Sequence, residues 1–103
     1  MEKHPCVYIL TNKPKGVLYI GATSDLPRRI WEHRRGLVNG FSRRYNTTKL
    51  VYVESCASMI SALEREHRVK RWHRAWKVEL IEARNPGWKD LYTEFLGSGR
   101  EES

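Results

Sequence analysis

Two short strand-like segments near the amino terminus, joined by a turn-rich stretch, constrain the fold of this chain most. Residues 7–10 (Val-Tyr-Ile-Leu) and 17–20 (Val-Leu-Tyr-Ile) are rich in the β-branched and aromatic residues that are typical of strands. Residues 12–16 (Asn-Lys-Pro-Lys-Gly) are dense in turn formers. The sequence therefore predicts an antiparallel β-hairpin.

The expected register of this hairpin determines where two tyrosines lie. If residues 12–15 form a four-residue loop, Thr11 pairs with Gly16 and Tyr8 pairs with Tyr19. Because side chains alternate between the two faces of a strand, both phenols are expected on one face of the sheet. Gly21 is expected to end the second strand, where a side chain would obstruct close approach to the backbone.

Residues 25–35 are predicted to form the first helix, which ends near Gly36. Asp25 is a candidate N-cap and Pro27 suits the first turn. The helical period assigns an inward face to Leu26, Ile30, His33 and Leu37.

Two consecutive arginines in this helix differ in their expected orientation. Arg29 lies at the edge of the inward face, whereas Arg28 lies about 200° around the helix from Leu26 and points to solvent. The spacing favours Arg29 as the candidate site arginine. A rim arginine whose aliphatic stem covers apolar surface is the alternative interpretation.

Residues 37–48 are predicted to form a polar, basic loop. Phe41 and Tyr45 alternate there with Arg43 and Arg44, a composition suited to holding a phosphate backbone and stacking on bases. An ordinary loop anchored by two aromatic residues is the alternative. Residues 49–54 are then expected to form the third strand.

The second long helix is predicted to run from Ser55 or Ser58 to about Trp72. Glu66 shares its face with four apolar residues, whereas Glu64 projects from nearly the opposite side; the apolar residues are Met59, Ala62, Leu63 and Val69. A carboxylate among core residues is costly unless it is paired or binds a cation. Together with the tyrosines and Arg29, this favours Glu66 as a metal ligand, and a local ion pair with Lys70 is the alternative.

The predicted fold class is α/β (α+β): one domain over residues 1–96, with a small three-stranded antiparallel sheet, flanking helices and the order β-β-α-β-α-α. A third helix is expected over residues 75–83, stopped by Asn85 and Pro86. Three tryptophans are expected in the core: Trp72, Trp76 and Trp88. Residues 97–103 are expected to form a disordered polar tail.

Composition narrows the class of partner. The 103 residues carry 19 Lys and Arg against 12 Asp and Glu, a net charge of +7, which favours a polyanion. No apolar run is long enough to span a membrane. Cys6 and Cys56 lack metal-site spacing and are expected to be buried thiols of a cytoplasmic protein.

Several motifs, taken together, resemble those of the GIY-YIG nuclease domain. They are Tyr8 in Val-Tyr-Ile, the tripeptide Tyr-Ile-Gly at 19–21, the helix opening Asp-Leu-Pro-Arg-Arg at 25–29, and Glu66 in the later helix. The ending at 85–91, Asn-Pro-Gly-Trp-Lys-Asp-Leu, resembles the small stand-alone bacterial branch, the UPF0213-like proteins. The first tripeptide lacks its leading glycine.

The resemblance implies a metal-dependent endonuclease that hydrolyses nucleic-acid phosphodiesters. By this resemblance Tyr19 is the general base, Tyr8 orients water or the scissile phosphate, and Arg29 binds phosphate oxygens. His33 shares in proton transfer. Glu66 holds one divalent cation, with Mg²⁺ as the expected ion.

The expected partner is nucleic acid, DNA rather than RNA, with structure selectivity in repair or recombination. Its expected contacts are Arg43, Arg44, Tyr45 and Lys70. Neither a membrane nor an obligatory protein partner is indicated. The main alternative is a nucleic-acid-binding domain without turnover, and a protein-interaction adaptor fits the basic surplus least well.

Overall fold

The computed structural model describes residues 4–37 and 40–92, which form an antiparallel sheet with helices on both faces. The strands are β1 (Cys6–Thr11), β2 (Leu18–Thr23) and β3 (Lys49–Ser55), and their order in the sheet is β2-β1-β3. The helices are α1 (Leu26–Arg34), α2 (Gly40–Tyr45), α3 (Met59–Lys70) and α4 (Arg74–Arg84).

The predicted fold class is confirmed, with one added element. Within residues 37–48, where a loop was expected, the chain forms the short helix α2. Phe41 and Tyr45 fit this helix and help to stabilise it, because residues four apart meet on one side of a helical turn, and their ring centroids are 4.9 Å apart. The predicted tail, residues 97–103, lies outside the described residues.

The central strand β1 separates two apolar clusters. All six of its residues are buried, and they alternate between the two faces of the sheet. On one face Val7 and Ile9 pack with helices α3 and α4; the buried partners there are Ala62, Val69, Ile81 and Trp88. On the other face Tyr8 and Leu10 pack with helix α1; the buried partners there are Leu26, Ile30 and Leu50.

The hairpin forms, but its predicted register is wrong by two residues. Tyr8 pairs with Gly21 and Leu10 pairs with Tyr19. Because the offset is an even number of residues, both phenols still lie on one face of the sheet. Strand β2 also continues past Gly21, which therefore lies inside the strand and not at its end.

The register differs because the loop spans six residues, 12–17. The Val17 N–H donates to Asn12 Oδ1 at 2.9 Å, and the Gly16 N–H donates to Lys13 O at 2.8 Å. Lys15 adopts a positive φ of 59°, a left-handed conformation that helps to turn the chain. These local bonds hold a wider turn than the four-residue loop expected.

Three predicted apolar positions are solvent-exposed. Leu37 follows Gly36, whose φ of 72° turns the chain away from the axis of α1. Leu63 is exposed because α3 contacts the sheet through Ala62 and Val69. Trp76 is 54% exposed, and its ring meets those of Trp72 and His73 at steep angles, with centroids 6.0 Å and 5.6 Å away.

Gly21→Ala is predicted to destabilise the fold through Tyr8. A Cβ built on Gly21 overlaps with Cζ and Oη of Tyr8 and lies 2.9 Å from its Cε1, so a buried ring must move. Overpacking of this kind costs about 1–3 kcal/mol of unfolding free energy, measurable by urea denaturation. Gly87→Ala is the matched control, since its nearest atom is 3.9 Å away. Equal stability of the two variants would contradict the prediction.

Candidate active site

Tyr8 occupies the centre of the candidate site. It is buried in the middle of β1, and its hydroxyl lies 3.1 Å from Nε2 of His33. Burial raises the pKa of Tyr8 well above its usual range; Tyr19 and Glu66 act in the same direction, and the positive charge of Arg29 opposes them. Tyr8 is therefore a protonated phenol in the free protein.

His33 holds the Tyr8 hydroxyl with one nitrogen and Ser42 with the other. His33 is buried on α1, and its Nδ1 lies 2.7 Å from Ser42 Oγ. Burial lowers the pKa of His33 to about 4, with the charge of Arg29 acting in the same direction. The imidazole is therefore neutral at pH 7 and carries a single N–H.

The Tyr8 hydroxyl determines which nitrogen of His33 carries that hydrogen. Within residues 4–37 and 40–92, the hydrogen-bonding partner of the buried Tyr8 hydroxyl is His33 Nε2. A buried hydroxyl needs an acceptor, so Tyr8 donates to Nε2. Nδ1–H of His33 then donates to Ser42 Oγ.

Two hydroxyl residues of the site, Ser42 and Thr47, are not predicted by the sequence pattern. Both are buried, and their hydroxyl oxygens lie 2.6 Å apart. The available signal was the four-residue spacing of Phe41 and Tyr45, which indicates a helical turn and places Ser42 on another side of it. That signal does not identify His33 as the partner, because the contact depends on how α2 packs against α1.

Tyr19 lies beside this pair on the same face of the sheet, as the strand pattern predicted. Its ring meets that of His33 edge-on, with centroids 4.8 Å apart, and lies 6.3 Å from the ring of Tyr8. Unlike Tyr8, it is only half-buried. Of the two phenols, Tyr19 is therefore the one with access to solvent.

Arg29 and Arg28 take the orientations that the helical spacing predicted. The Arg28 side chain is 72% exposed and that of Arg29 is 43% exposed. Arg29 is close enough to Tyr8 and His33 to shift the pKa of both. Its Nη1 lies 3.5 Å from Oε1 of Glu32 in the free protein, so a bound phosphate would compete with that carboxylate.

Glu66 approaches the site from the helical layer on the other face of the sheet. Its side chain is 18% exposed, and its charge acts on Tyr8. Its Oε2 lies 3.0 Å from Nζ of Lys70, so the local ion pair that the sequence left as the alternative is formed in the free protein. Glu64 is exposed, as predicted.

The donor set at Glu66 fits a magnesium-like ion and not a structural zinc. Over residues 4–37 and 40–92, no three His, Cys, Asp or Glu side chains gather into a metal site. Mg²⁺ keeps most of its waters and is commonly held by one or two carboxylates and substrate phosphate oxygens. Zinc needs three or four protein ligands. A single carboxylate fits the first arrangement only.

The predicted nucleic-acid contacts fall into two groups. Arg43, Arg44 and Tyr45 are exposed on α2, whose Phe41 ring lies 6.2 Å from that of Tyr19. Lys70 is on α3, 52% exposed and paired with Glu66.

None of the helices in the described part of the chain is long and apolar enough to cross a membrane.

The sequence of this chain matches a family of known proteins. The sequence model of the GIY-YIG catalytic domain matches residues 4–79. A UPF0213 protein from Bacillus pumilus is 34% identical over 82 residues, which cover 80% of this chain and 84% of the relative. A UPF0213 protein from Syntrophus aciditrophicus is 36% identical over 81 residues, which cover 78% and 91%.

A solved structure agrees with the sequence matches. The solution NMR structure of a UPF0213 protein from Bacillus halodurans superposes with a TM-score of 0.54 and 29% sequence identity, covering 87% of this chain and 95% of that one. It therefore supports the arrangement of sheet and helices along most of the chain. Since the catalytic-domain model matches more than half of the sequence and relatives above 30% identity match over most of their length, the chain belongs to the GIY-YIG family, in its group of UPF0213 proteins.

Proposed function

We propose that this protein is a metal-dependent endonuclease that cleaves structured DNA in repair or recombination. Membership of the GIY-YIG family implies nuclease-type activity on a nucleic-acid substrate; the metal, the preference for DNA and the cellular role are the proposal. The observation that carries it is the gathering of Tyr8, Tyr19, His33 and Arg29 on one sheet face, with Glu66 close enough to act on Tyr8.

Phosphodiester hydrolysis needs an activated water, and Tyr19 is the group proposed to activate it. Tyr19 is half-buried beside His33 and has access to solvent. Tyr8 is buried, and its proton is held by Nε2 of His33. We assign to Tyr8 the task of orienting the water, whose O–H can donate to the phenol oxygen, and to neutral His33 that of holding Tyr8 in position.

The second requirement is stabilisation of the negative charge that develops on the phosphate. Arg29 can donate two parallel hydrogen bonds to phosphate oxygens once it leaves Glu32. Glu66 would hold the divalent ion once the ammonium group of Lys70 moves away, and Lys70 is then available to a neighbouring phosphate. The ion that Glu66 would hold there would supply positive charge for the phosphate and the leaving oxygen.

One observation favours a second candidate function, nucleic-acid binding without turnover. In the free protein Glu66 is paired with Lys70 and Arg29 with Glu32. The carboxylate of Glu66 and the guanidinium of Arg29 therefore each have a partner of opposite charge within the protein. The two functions differ in whether nucleic acid is cut when Mg²⁺ is added, so a single incubation with and without a chelator separates them.

Glu66→Gln is predicted to abolish most Mg²⁺-dependent cleavage of branched, flapped or nicked DNA. The amide keeps the shape of the side chain but lacks the charge that a hard cation needs, so a loss on the order of 100-fold or more is expected. The free energy of unfolding should change by about 0.5 kcal/mol or less, because the substitution removes only one ion pair, that with the half-exposed side chain of Lys70.

Glu64→Gln is the matched control for this experiment, since Glu64 lies two residues away on the same helix and is exposed. It should cut at the parental rate. Equal loss in both variants would contradict the assignment of the metal to Glu66. If the parent retards DNA on a gel but yields no products in Mg²⁺, the binding function is supported instead.

Tyr19→Phe is predicted to lower the cleavage rate by roughly 100- to 10,000-fold, the usual loss when a general base is removed. The ring and its contact with His33 are kept, so the stability should hardly change. Tyr92→Phe is the control, because this tyrosine lies outside the candidate site and the substitution keeps the ring that Arg34 contacts; it should retain near-parental activity. Single-turnover rates measure both. Parental activity in Tyr19→Phe would exclude Tyr19 as the base.

His33 is predicted to make the stability depend on pH between about 4 and 6.5. In this range the unfolded chain binds a proton at His33 that the folded chain does not, so the free energy of unfolding falls as the pH is lowered. The full loss is on the order of 3 kcal/mol. Urea denaturation between pH 7 and pH 4.5 measures it. His33→Gln should flatten the profile, whereas exposed His67→Gln should leave it unchanged.

A further inference from the structure

A row of aromatic rings leads from the candidate site to the protein surface along helix α2. The ring of Tyr19 lies 6.2 Å from that of Phe41, which lies 4.9 Å from that of Tyr45. Phe41 is 45% exposed and Tyr45 is 39% exposed. Large rings that remain open to solvent beside a polar site are typical of a binding surface.

The charges around this row favour a polyanionic partner. Helix α2 has the sequence Gly-Phe-Ser-Arg-Arg-Tyr and contains no acidic residue. Both of its arginines are exposed, and the guanidinium carbon of Arg44 lies 5.6 Å from the centre of the Tyr45 ring. Aromatic faces interleaved with arginines fit a strand whose bases stack while its phosphates meet positive charge.

We propose that Phe41 and Tyr45 form a stacking platform for unpaired nucleobases next to the phosphate that is cut. This inference deepens the proposed nuclease function and rests on it. It assigns the substrate class: nucleic acid with unpaired nucleotides beside the cleavage position, such as single strands, flaps and loops, in preference to a continuous duplex.

The preference for unpaired nucleotides follows from which surfaces of a base are accessible. In a duplex both faces of each base are covered by its neighbours in the stack, so an aromatic side chain can reach a face only after the base has been unstacked. An unpaired nucleotide offers its face without that cost. Because every base has such a face, the platform selects structure and not sequence.

The platform is also held in a fixed position relative to the reacting groups. Ser42, which lies between Phe41 and the two arginines, accepts from Nδ1–H of His33 at 2.7 Å and lies 2.6 Å from Oγ1 of Thr47. Both hydroxyls are buried. Helix α2 is therefore attached to the same histidine that holds Tyr8, and a base on Phe41 would have its backbone close to Tyr19.

Binding of the full chain to oligonucleotides in a chelator tests the proposal without cleavage. The probes are a blunt duplex and a single strand of the same sequence, each with one 2-aminopurine whose fluorescence is quenched on stacking. The combined variant Phe41→Leu and Tyr45→Leu keeps apolar side chains but removes the aromatic faces. We expect it to weaken single-strand binding by roughly 5- to 100-fold, to lose the quenching, and to change duplex binding less than twofold.

Two matched variants separate stacking from other effects. Trp76→Leu removes an exposed ring on α4, which packs on the opposite sheet face, and should leave both affinities unchanged. The double variant Arg43→Ala and Arg44→Ala should lower the affinity for both probes by a similar factor and reduce the salt dependence of binding. The proposal is overturned if the leucine variant weakens duplex and single strand equally, or if Trp76→Leu has the same effect.

Failure of this inference can be told apart from failure of the nuclease function. If the protein binds single strands selectively and quenches the 2-aminopurine fluorescence but gives no cleavage products in Mg²⁺, the platform is supported and the nuclease function is rejected. If duplex and flapped DNA are cut at equal rates, and the leucine variant cuts them as the parent does, the platform is rejected and the nuclease function is supported. If the chemical shifts of the leucine variant differ from those of the parent only in α2, its fold is intact and its loss of single-strand binding is due to the missing rings. If the variant still prefers single strands to duplex, even with the contacts of His33 disturbed, the platform is overturned.

Discussion

The hydrogen bond between the Tyr8 hydroxyl and His33 is the interaction on which the rest of the site depends. A phenol in the middle of a buried central strand is costly unless its hydroxyl finds an acceptor, and His33 Nε2 supplies one at 3.1 Å. The second nitrogen of His33 then needs its own partner, which Ser42 provides. The ring of Tyr8 in turn needs the space that only a glycine at position 21 leaves.

These requirements connect four separate elements. Tyr8 belongs to β1, Gly21 to β2, His33 to α1 and Ser42 to α2. Glu66 comes from α3, in the layer on the far side of the sheet, and acts on Tyr8 by its charge. The two tyrosines, His33 and Arg29 therefore lie on one face of the sheet, and the carboxylate of Glu66 comes from the helical layer on the other face.

Local patterns were sufficient for the fold class and for the faces on which the candidate residues lie. Alternation in the strands placed Tyr8 and Tyr19 together even though the register was wrong, because the error was an even number of residues. Helical spacing separated Arg29 from Arg28 and Glu66 from Glu64. Periodicity of this kind depends only on neighbours along the chain.

What the sequence did not reveal depends on contacts between distant elements. The role of Ser42 follows from the docking of α2 against α1, and the exposure of Trp76 follows from how α4 meets the sheet. The partner of Tyr8 across the hairpin was mispredicted because the turn closes through an Asn12 side chain and not through backbone alone. No local pattern contains these contacts.

The hairpin tip has a consequence for how this scaffold can be extended. Lys13, Pro14 and Lys15 are exposed, and the fit of the Tyr8 ring over Gly21, well inside the sheet, supports the strand pairing that the turn at Asn12 sets. Three residues of strand, or roughly 10 Å, separate Tyr8 from the end of β1. The tip is thus the part of the hairpin farthest from the chemistry, and an insertion that leaves the site undisturbed has to keep the hydrogen bonds from Arg74 to the carbonyl oxygens of Lys15 and Gly16.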